Sequence, residues 1–490
     1  KTIITTFDLL PKLKGFLHEV PSLKSIVYIK NMNHQLNDNC PDHVCIKSLD
    51  ELEGMGAKDK SILDYDLPKD INETAVIMYT SGTTSNPKAV CISHKSLMAN
   101  LKLLLSNCTP NMFDEQQNHI YMSYLPLAHI LGYSFEMYFF FGGIRVGYSS
   151  PFTLTDSSPG LAKGQTGDAK LLSPTFMTAV PLVLDRILKE LYEKLNARSS
   201  ISAPLFTYLM QYKIRWKSRG FDTPIVNKLL CRKIAEAIGG RMEYIMVGGA
   251  PLNPKTQAII KAAFNARQVT QGFGATETSG GVIGMFTEDL NYGSVGIPME
   301  GVNVKLVDWP EGGYLTSDKP NPRGEIVIGG DLVALGYYKA PELTAESFYT
   351  DSDGMRWFYT GDIGQVSPDG SFKIIDRKKD LTKLSNGEYI SLGKIEASLK
   401  SNKYVENMCV VPNTLVNTRL GSQTLFHKDS ITNRAQMNGL KRIEIPVKIK
   451  LCPEEWTTDN NLITAAFKLK RNNITSHYKS DIQNIFDSIK

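Results

Sequence analysis

The chain has 490 residues, 42% of them apolar, and sets 55 Lys and Arg against 50 Asp and Glu for a net charge of +5. That length buries a large core in more than one domain. The mild charge excludes the dense basic tract of a nucleic-acid binder, because Lys378-Lys379 and Lys468 to Arg471 are local clusters only. No apolar run reaches the eighteen residues of a membrane span, and no leader-type stretch opens the chain.

In chain order, alternating short apolar runs predict strands over Ser25 to Tyr28, Thr74 to Tyr79, Ile120 to Leu125, Ile144 to Tyr148 and Tyr244 to Val247. Helical spacing marks Lys95 to Leu105, Val180 to Leu195, Val226 to Ile238 and Pro254 to Phe264. The most apolar segment, Tyr133 to Tyr148, is interrupted by Glu136, Gly142, Gly143 and Arg145, and reads as a buried helix followed by a strand. Such alternation argues for an α/β domain with largely parallel sheets up to about residue 290. From Tyr292 to Ile375 short strands separated by Gly and Pro replace it: Val302 to Val307, Gly324 to Ile328, Trp357 to Tyr359 and Phe372 to Ile375. The charged knot Asp376-Arg377-Lys378-Lys379-Asp380 then introduces a separate C-terminal region over 381–490. The seven cysteines are scattered without a Cys-x-x-Cys pair, which suits a reducing compartment. Cys40-Pro-Asp-His43-Val-Cys45 holds three metal-ligand types, but no second cluster completes them, and it reads as a loop.

Chemistry concentrates first at Thr80-Ser81-Gly82-Thr83-Thr84-Ser85-Asn86-Pro87-Lys88, directly after the apolar run Ala75 to Met78. An apolar strand feeding a hydroxyl-rich turn converges N–H and O–H donors on one point, as a polyphosphate requires. Lys88 adds a mobile positive charge, and Pro87 stiffens the exit of the turn. The spacing is not that of a P-loop, which needs Gly-x-x-x-x-Gly-Lys-Ser/Thr opening a helix. It resembles the phosphate-binding signature of the adenylate-forming enzymes, the superfamily of acyl-CoA synthetases, luciferases and peptide-synthetase adenylation domains. That family has glycine at the positions of Ser85 and Ala89. Glycine serves where φ is positive, so both residues are expected to slow the loop.

Further strings extend the resemblance in family order. Gln271-Gly272-Phe273-Gly274-Ala275-Thr276-Glu277-Thr278 is similar to the second signature, which implies an aromatic ring on adenine, Thr276 at the α-phosphate and Glu277 at Mg²⁺ beside Thr84. A single hard carboxylate suits an ion that prefers oxygen ligands and substrate phosphates. Gly249, Ala250 and Pro251 resemble the loop at the adenine edge. His129, in Tyr124-Leu-Pro-Leu-Ala-His129, would line the acyl pocket, or else pack in the core. Tyr359-Thr-Gly-Asp362 implies that Asp362, read as sitting at a strand's end, binds the ribose hydroxyls. Arg377 would also reach the ribose, with Lys379 at a hinge over 376–380. Lys468, in Thr464-Ala-Ala-Phe-Lys468, resembles the tail lysine that stabilises charge in adenylation.

Within the superfamily the likeness is strongest to the animal long-chain fatty acyl-CoA synthetases, through Gly147 to Pro151, Pro322 to Gly330, Asp380 to Tyr389 and Ile445 to Ile449, several of which resemble the branch that prefers polyunsaturated chains. It implies a large layered αβα domain over 1–375 with a β-barrel-like unit over 291–375, and a small α+β domain carrying Lys468. It also implies ATP, Mg²⁺, coenzyme A and a long-chain fatty acid as ligands, and no nucleic acid. The family's N-terminal membrane-anchoring segment has no counterpart in the 78 residues before the loop, and the implied location is the cytosolic face of the endoplasmic reticulum or mitochondrial outer membrane. After Val410 a strand pair of the family is missing, and Thr414 to Met437 matches nothing. Two other readings stay open: a relative that binds ATP or acyl chains without turnover, and an adenylating enzyme of the luciferase or carrier-protein type. Chain-length preference and oligomeric state are left open as well.

Overall fold

The computed structural model describes residues 1–30, 44–59, 67–80, 87–108, 118–285, 292–384, 389–400, 405, 407–412, 440–446, 448–450, 452, 454–457, 460–464 and 469–488. Ser81, Gly82, Thr83, Thr84, Ser85, Lys468, His43 and the segment from Thr414 to Met437 lie outside them. The chain forms two compact units, Lys1–Lys69 and Asp70–Lys490.

In the first unit, β1 (Thr2–Thr6), β2 (Ser25–Ile29) and β3 (Cys45–Ser48) form a parallel sheet in that order. Leu10, Leu17, Leu23, Ile26, Tyr28 and Val44 are its core. The helix Leu49–Gly56 starts on a capping box: Ser48 Oγ accepts from the Glu51 N–H while the Glu51 carboxylate accepts from the Ser48 N–H.

The second unit opens with β4 (Thr74–Thr80) and β5 (Lys88–Ser93), an antiparallel pair in which Thr80 faces Lys88. There follow β6 (Ile120–Ser123), β7 (Arg145–Tyr148), β8 (Phe176–Ala179), β9 (Tyr244–Val247), β10 (Gln268–Ala275), β11 (Gly280–Gly284) and β12 (Ile297–Pro298). These seven make one sheet in the order β12-β11-β10-β9-β8-β6-β7. Strands β6 to β10 are mutually parallel, while β11 and β12 are antiparallel additions. Side chains alternate along each strand. Tyr121, Phe176 and Tyr244 accordingly join one hydrophobic cluster, and their neighbours Met122, Met177 and Ile245 join another. The helices His94–Cys108 and Ile130–Phe141 supply Leu103, Leu104, Tyr138 and Phe139 to the first cluster. Pro181–Arg198, Ser202–Lys217 and Pro254–Ala263 supply Leu184, Phe206 and Ile260 to the second. The sheet is therefore covered on both faces, as parallel sheets are.

The strands predicted at the β-rich stretch all form, but not as a closed unit. They are β13 (Asn303–Val307), β14 (Arg323–Gly329), β17 (Arg356–Val366) and β18 (Phe372–Arg377), and two strands that were not predicted, β15 (Gly336–Tyr337) and β16 (Phe348–Thr350), lie between β14 and β17 in the chain. The sheet runs β13-β14-β17-β16, with β18 also on β17. β16 pairs the first part of β17 and β18 the later part, on the edge that β14 leaves free. Among the described residues this is an open sheet, which corrects the expected barrel-like unit. Two strands leave it altogether: β12 extends the seven-stranded sheet and β15 pairs with β5.

Beyond it, β19 (Leu381–Lys383) pairs with β20 (Tyr389–Ser391), and the helix Leu392–Lys400 follows. Ile390, Leu392, Ile395, Leu399, Val410 and Leu440 form one small core; Trp456, Leu462, Ile463, Ile474 and Tyr478 form another. Arg471 ties them together. It makes a two-pronged ion pair with buried Glu396, at 2.7 and 3.0 Å, and donates to the Val410 carbonyl.

Candidate active site

Strands β6 to β10 run in one direction, so the segments leaving them meet at one edge of the sheet. In the order β10-β9-β8-β6-β7 the chain reverses between β6 and β8, the position at which open α/β sheets form a crevice. Three of the sequence's candidate strings leave β6, β9 and β10 at this edge; of the fourth, Thr80 ends β4 and Lys88 begins β5.

Gln271, which opens the string similar to the second signature, has its side chain engaged within the protein. Its amide is buried: Oε1 accepts from the Leu252 N–H at 2.9 Å, and Nε2 donates to Gln257 Oε1 and the Ser294 carbonyl. The side chain thus holds the end of the loop containing Gly249, Ala250 and Pro251, which are exposed after β9. Gly249 has φ +83°, a left-handed conformation that favours glycine. Gly272 and Phe273 sit in β10, Phe273 half-buried against the first cluster. At Gly274 an added Cβ would lie 2.1 Å from the Gly280 carbonyl oxygen, so the close approach of β10 and β11 demands glycine there. The tight turn between them carries Thr276, buried, and Glu277, partly exposed. Thr278 Oγ1 accepts from the Ala275 N–H and donates to the Gly280 carbonyl, and the Glu277 carbonyl accepts from the Ala334 N–H.

The Glu277 side chain accepts a 2.9 Å hydrogen bond from the Tyr337 hydroxyl, and Lys88 Nζ lies 4.3 Å from the centre of the same ring. Burial, then the Glu277 charge, keep the Tyr337 phenol protonated. Burial first, and the positive charge of Lys379 second, pull the Lys88 ammonium below an ordinary lysine, with Glu277 opposing. Two cations and one carboxylate are thereby brought together from positions 88, 277 and 379. Tyr337 is a residue that sequence reasoning missed. Sixty positions separate it from Glu277, and only the pairing of β15 with β5 brings it in.

Asp362 is not at a strand's end. Glu325 pairs with Ile363 and Val327 with Tyr359, so Thr360-Gly361-Asp362 bulge out within β17 opposite Ile326. Such a bulge re-aims side chains. Buried Glu325 pins it: Oε1 accepts from the Gly361 N–H at 2.9 Å and Oε2 pairs with Lys378 Nζ at 2.5 Å. Thr360 Oγ1 donates to the Ile326 carbonyl and accepts from the Asp362 N–H. Asp362 faces Arg377 across β17 and β18, with Nε and Oδ1 3.0 Å apart. Asp362 first, and Asp380 and Glu277 more weakly, hold the Arg377 guanidinium more basic than an ordinary arginine, against the opposing effect of burial. Lys379 is exposed on the turn that follows.

His129 caps the helix Ile130–Phe141, its Nδ1 accepting from the Leu131 N–H at 3.2 Å, which gives its structural role direct support. The charge that interrupts the apolar run, Glu136, is buried on that helix. It accepts from Ser123 Oγ at 2.6 Å and from the Tyr148 hydroxyl at 3.2 Å, at the C-terminal ends of β6 and β7. Ala89, expected to strain the phosphate loop, is buried in β5 opposite Tyr79 and is not among the residues with positive φ. That expectation is corrected: an extended strand accepts a Cβ without penalty.

The AMP-binding enzyme family model matches residues 11–338. Long chain acyl-CoA synthetase 8 of Arabidopsis thaliana is 36% identical over 99% of this chain and 72% of its own length. Long-chain-fatty-acid–CoA ligase 2 of Schizosaccharomyces pombe is 33% identical, over 99% of this chain and 74% of its own. Among solved structures, the A domain of carboxylic acid reductase from Segniliparus rugosus, in complex with AMP and a co-purified carboxylic acid, aligns with a TM-score of 0.77 at 21% identity, over 100% of this chain and 75% of that one. At that identity the match speaks for the fold alone.

Proposed function

We infer the activity from one premise: the chain belongs to the AMP-binding enzymes and, within them, to the long-chain acyl-CoA synthetases. It activates a long-chain fatty acid at the expense of ATP. The fatty carboxylate attacks the α-phosphorus, forming the acyl–phosphate bond of acyl-AMP and releasing pyrophosphate. The CoA thiol then attacks the acyl carbon, a thioester forms and AMP leaves. The observation that carries this reading is the convergence of Lys88, Glu277, Asp362 and Arg377, drawn from four separate stretches of chain.

On this reading the loop of Thr80, Ser81, Gly82, Thr83, Thr84 and Lys88 binds the β- and γ-phosphates, and bound phosphate would offset the lowered basicity of Lys88. Phe273 and the loop of Gly249, Ala250 and Pro251 hold adenine, Thr276 the α-phosphate, and Asp362 with Arg377 the ribose. The carboxylate of Glu277 gives one lone pair to Tyr337 and retains others, which fits a share in Mg²⁺. That ion would neutralise phosphate charge. Lys468 would stabilise the adenylation transition state from a small domain over 381–490, turning about Lys379; the separate hydrophobic clusters beyond residue 389 support such a domain. His129 lines the acyl pocket beside its capping role. The cytosolic face of the endoplasmic reticulum is the location the resemblance favours.

ATP–pyrophosphate exchange, run with palmitate and with arachidonate, tests the first half-reaction, and thioester formation with CoA tests the second. Exchange dependent on fatty acid is expected. Nucleotide binding without exchange would leave a binder, and exchange without thioester an adenylating enzyme of another type.

A further inference from the structure

The helix Ser202–Lys217 has two unlike faces. Ala203, Phe206, Met210 and Lys213, spaced three and four apart, are buried. Lys213 is spent internally, its Nζ donating to Asn265 Oδ1 at 2.9 Å and to Cys231 Sγ at 3.4 Å. On the other face Leu205, Tyr208 and Tyr212 are 52%, 65% and 42% exposed, and Ile201, just before the helix, is 70% exposed. Positions 201, 205, 208 and 212 fall in one narrow helical stripe. Trp216 prolongs it, with its ring 5.9 Å from Tyr212 and 5.6 Å from exposed Phe221. A contiguous apolar stripe of this length is an interaction surface, unlike scattered exposed residues.

Its charge says what it meets. Between Glu193 and Asp222 the chain holds Lys194, Arg198, Arg215, Lys217 and Arg219 besides the buried Lys213, and no further Asp or Glu. Arg215, Lys217 and Arg219 are exposed. A cavity of about 440 Å³ beside Phe221 has Lys217 and Arg267 on its rim, with Asp222 the one carboxylate lining it. Tyr and Trp are the side chains that settle at a lipid–water boundary, apolar body inward and polar tip outward. No helix among the described residues is long and apolar enough to cross a membrane, so this helix would lie along one.

We propose that this face docks on an anionic lipid bilayer. Ile201, Leu205, Tyr208 and Tyr212 enter the boundary between headgroups and acyl chains, and Arg215 and Arg219, exposed at the end of the stripe, engage lipid phosphates. These two exposed arginines, Arg215 and Arg219, favour an anionic surface. The surface is independent of the reaction, and binding is read without turnover.

The test is co-sedimentation of the whole chain with vesicles of phosphatidylserine and phosphatidylcholine, and of phosphatidylcholine alone. Wild type is expected to pellet with the mixed vesicles, to pellet poorly with the neutral ones and to be released by high salt. Leu205→Ser/Tyr208→Ser/Tyr212→Ser should lower partitioning roughly tenfold or more. Arg215→Glu/Arg219→Glu should remove the preference for anionic lipid. Both variants alter exposed side chains, so their melting curves should match wild type; if the serine variant misfolds, the charge variant decides. Equal partitioning of either variant and wild type overturns the proposal. Equal binding to neutral and anionic vesicles does so too, as does a wild-type dimer that the serine variant converts to monomer.

Discussion

At the scale of single residues, the site is an arrangement of charges that individual side chains hold in place. Asp362 is the clearest case. Its position depends on a bulge, the bulge on Glu325, and Glu325 on Lys378. The Arg377 guanidinium beside it holds the carboxylate in an ion pair, and an ionised carboxylate can accept several hydrogen bonds at once. Asp362→Ala is therefore expected to weaken ATP binding by about 1–3 kcal/mol, through the lost charged hydrogen bonds. Calorimetry checks this, and an unchanged affinity removes the ribose assignment. Arg377→Ala is expected to weaken ATP binding as well, because it removes a second proposed ribose contact and breaks the ion pair that holds Asp362. Tyr337 teaches a different lesson. Nothing adjacent in sequence marks it, yet its hydroxyl and ring stand between Glu277 and Lys88.

At the scale of elements, glycine positions separate close backbone contact from ordinary strand. A Cβ at Gly274 would meet the Gly280 carbonyl carbon and Gly281 Cα at 2.7 Å as well as the oxygen. Gly274→Ala must therefore part β10 from β11, at a cost of about 1–3 kcal/mol for such overpacking, read as a shifted midpoint in chemical denaturation. An unshifted midpoint would mean that the turn yields freely. Ala89 makes the converse point. It lies in β5 with its methyl buried, so Ala89→Gly should cost about 0.5–1 kcal/mol rather than quicken the loop. Improved turnover in that variant would restore the view that family glycine matters there. Element recognition itself was direct wherever periodicity was strong: Pro254–Ala263 begins on Asn253, whose side chain accepts from the Lys255 N–H, with Pro at the first helical position. The π-helical turn Asn227–Cys231 inside the predicted helix had no sequence signal.

At the scale of the whole molecule, the proposed chemistry divides between the layered sheet and the C-terminal clusters. Lys468→Ala should nearly abolish pyrophosphate exchange while leaving ATP binding and thioester formation from pre-made acyl-AMP largely intact. Intact exchange in that variant would transfer the role to another group. The sequence by itself determined the α/β class, most strand and helix positions and the family, because periodicity, caps and contiguous motifs are local properties of the chain. Only the tertiary structure decided which strand joins which sheet, as β12 and β15 leave the β-rich stretch. It also decided that Gln271 braces a loop, that Asp362 rides a bulge and that Tyr337 joins Glu277. Those outcomes rest on pairings between distant segments, where hydrogen-bond register and burial choose the partner and no short stretch of sequence records the choice.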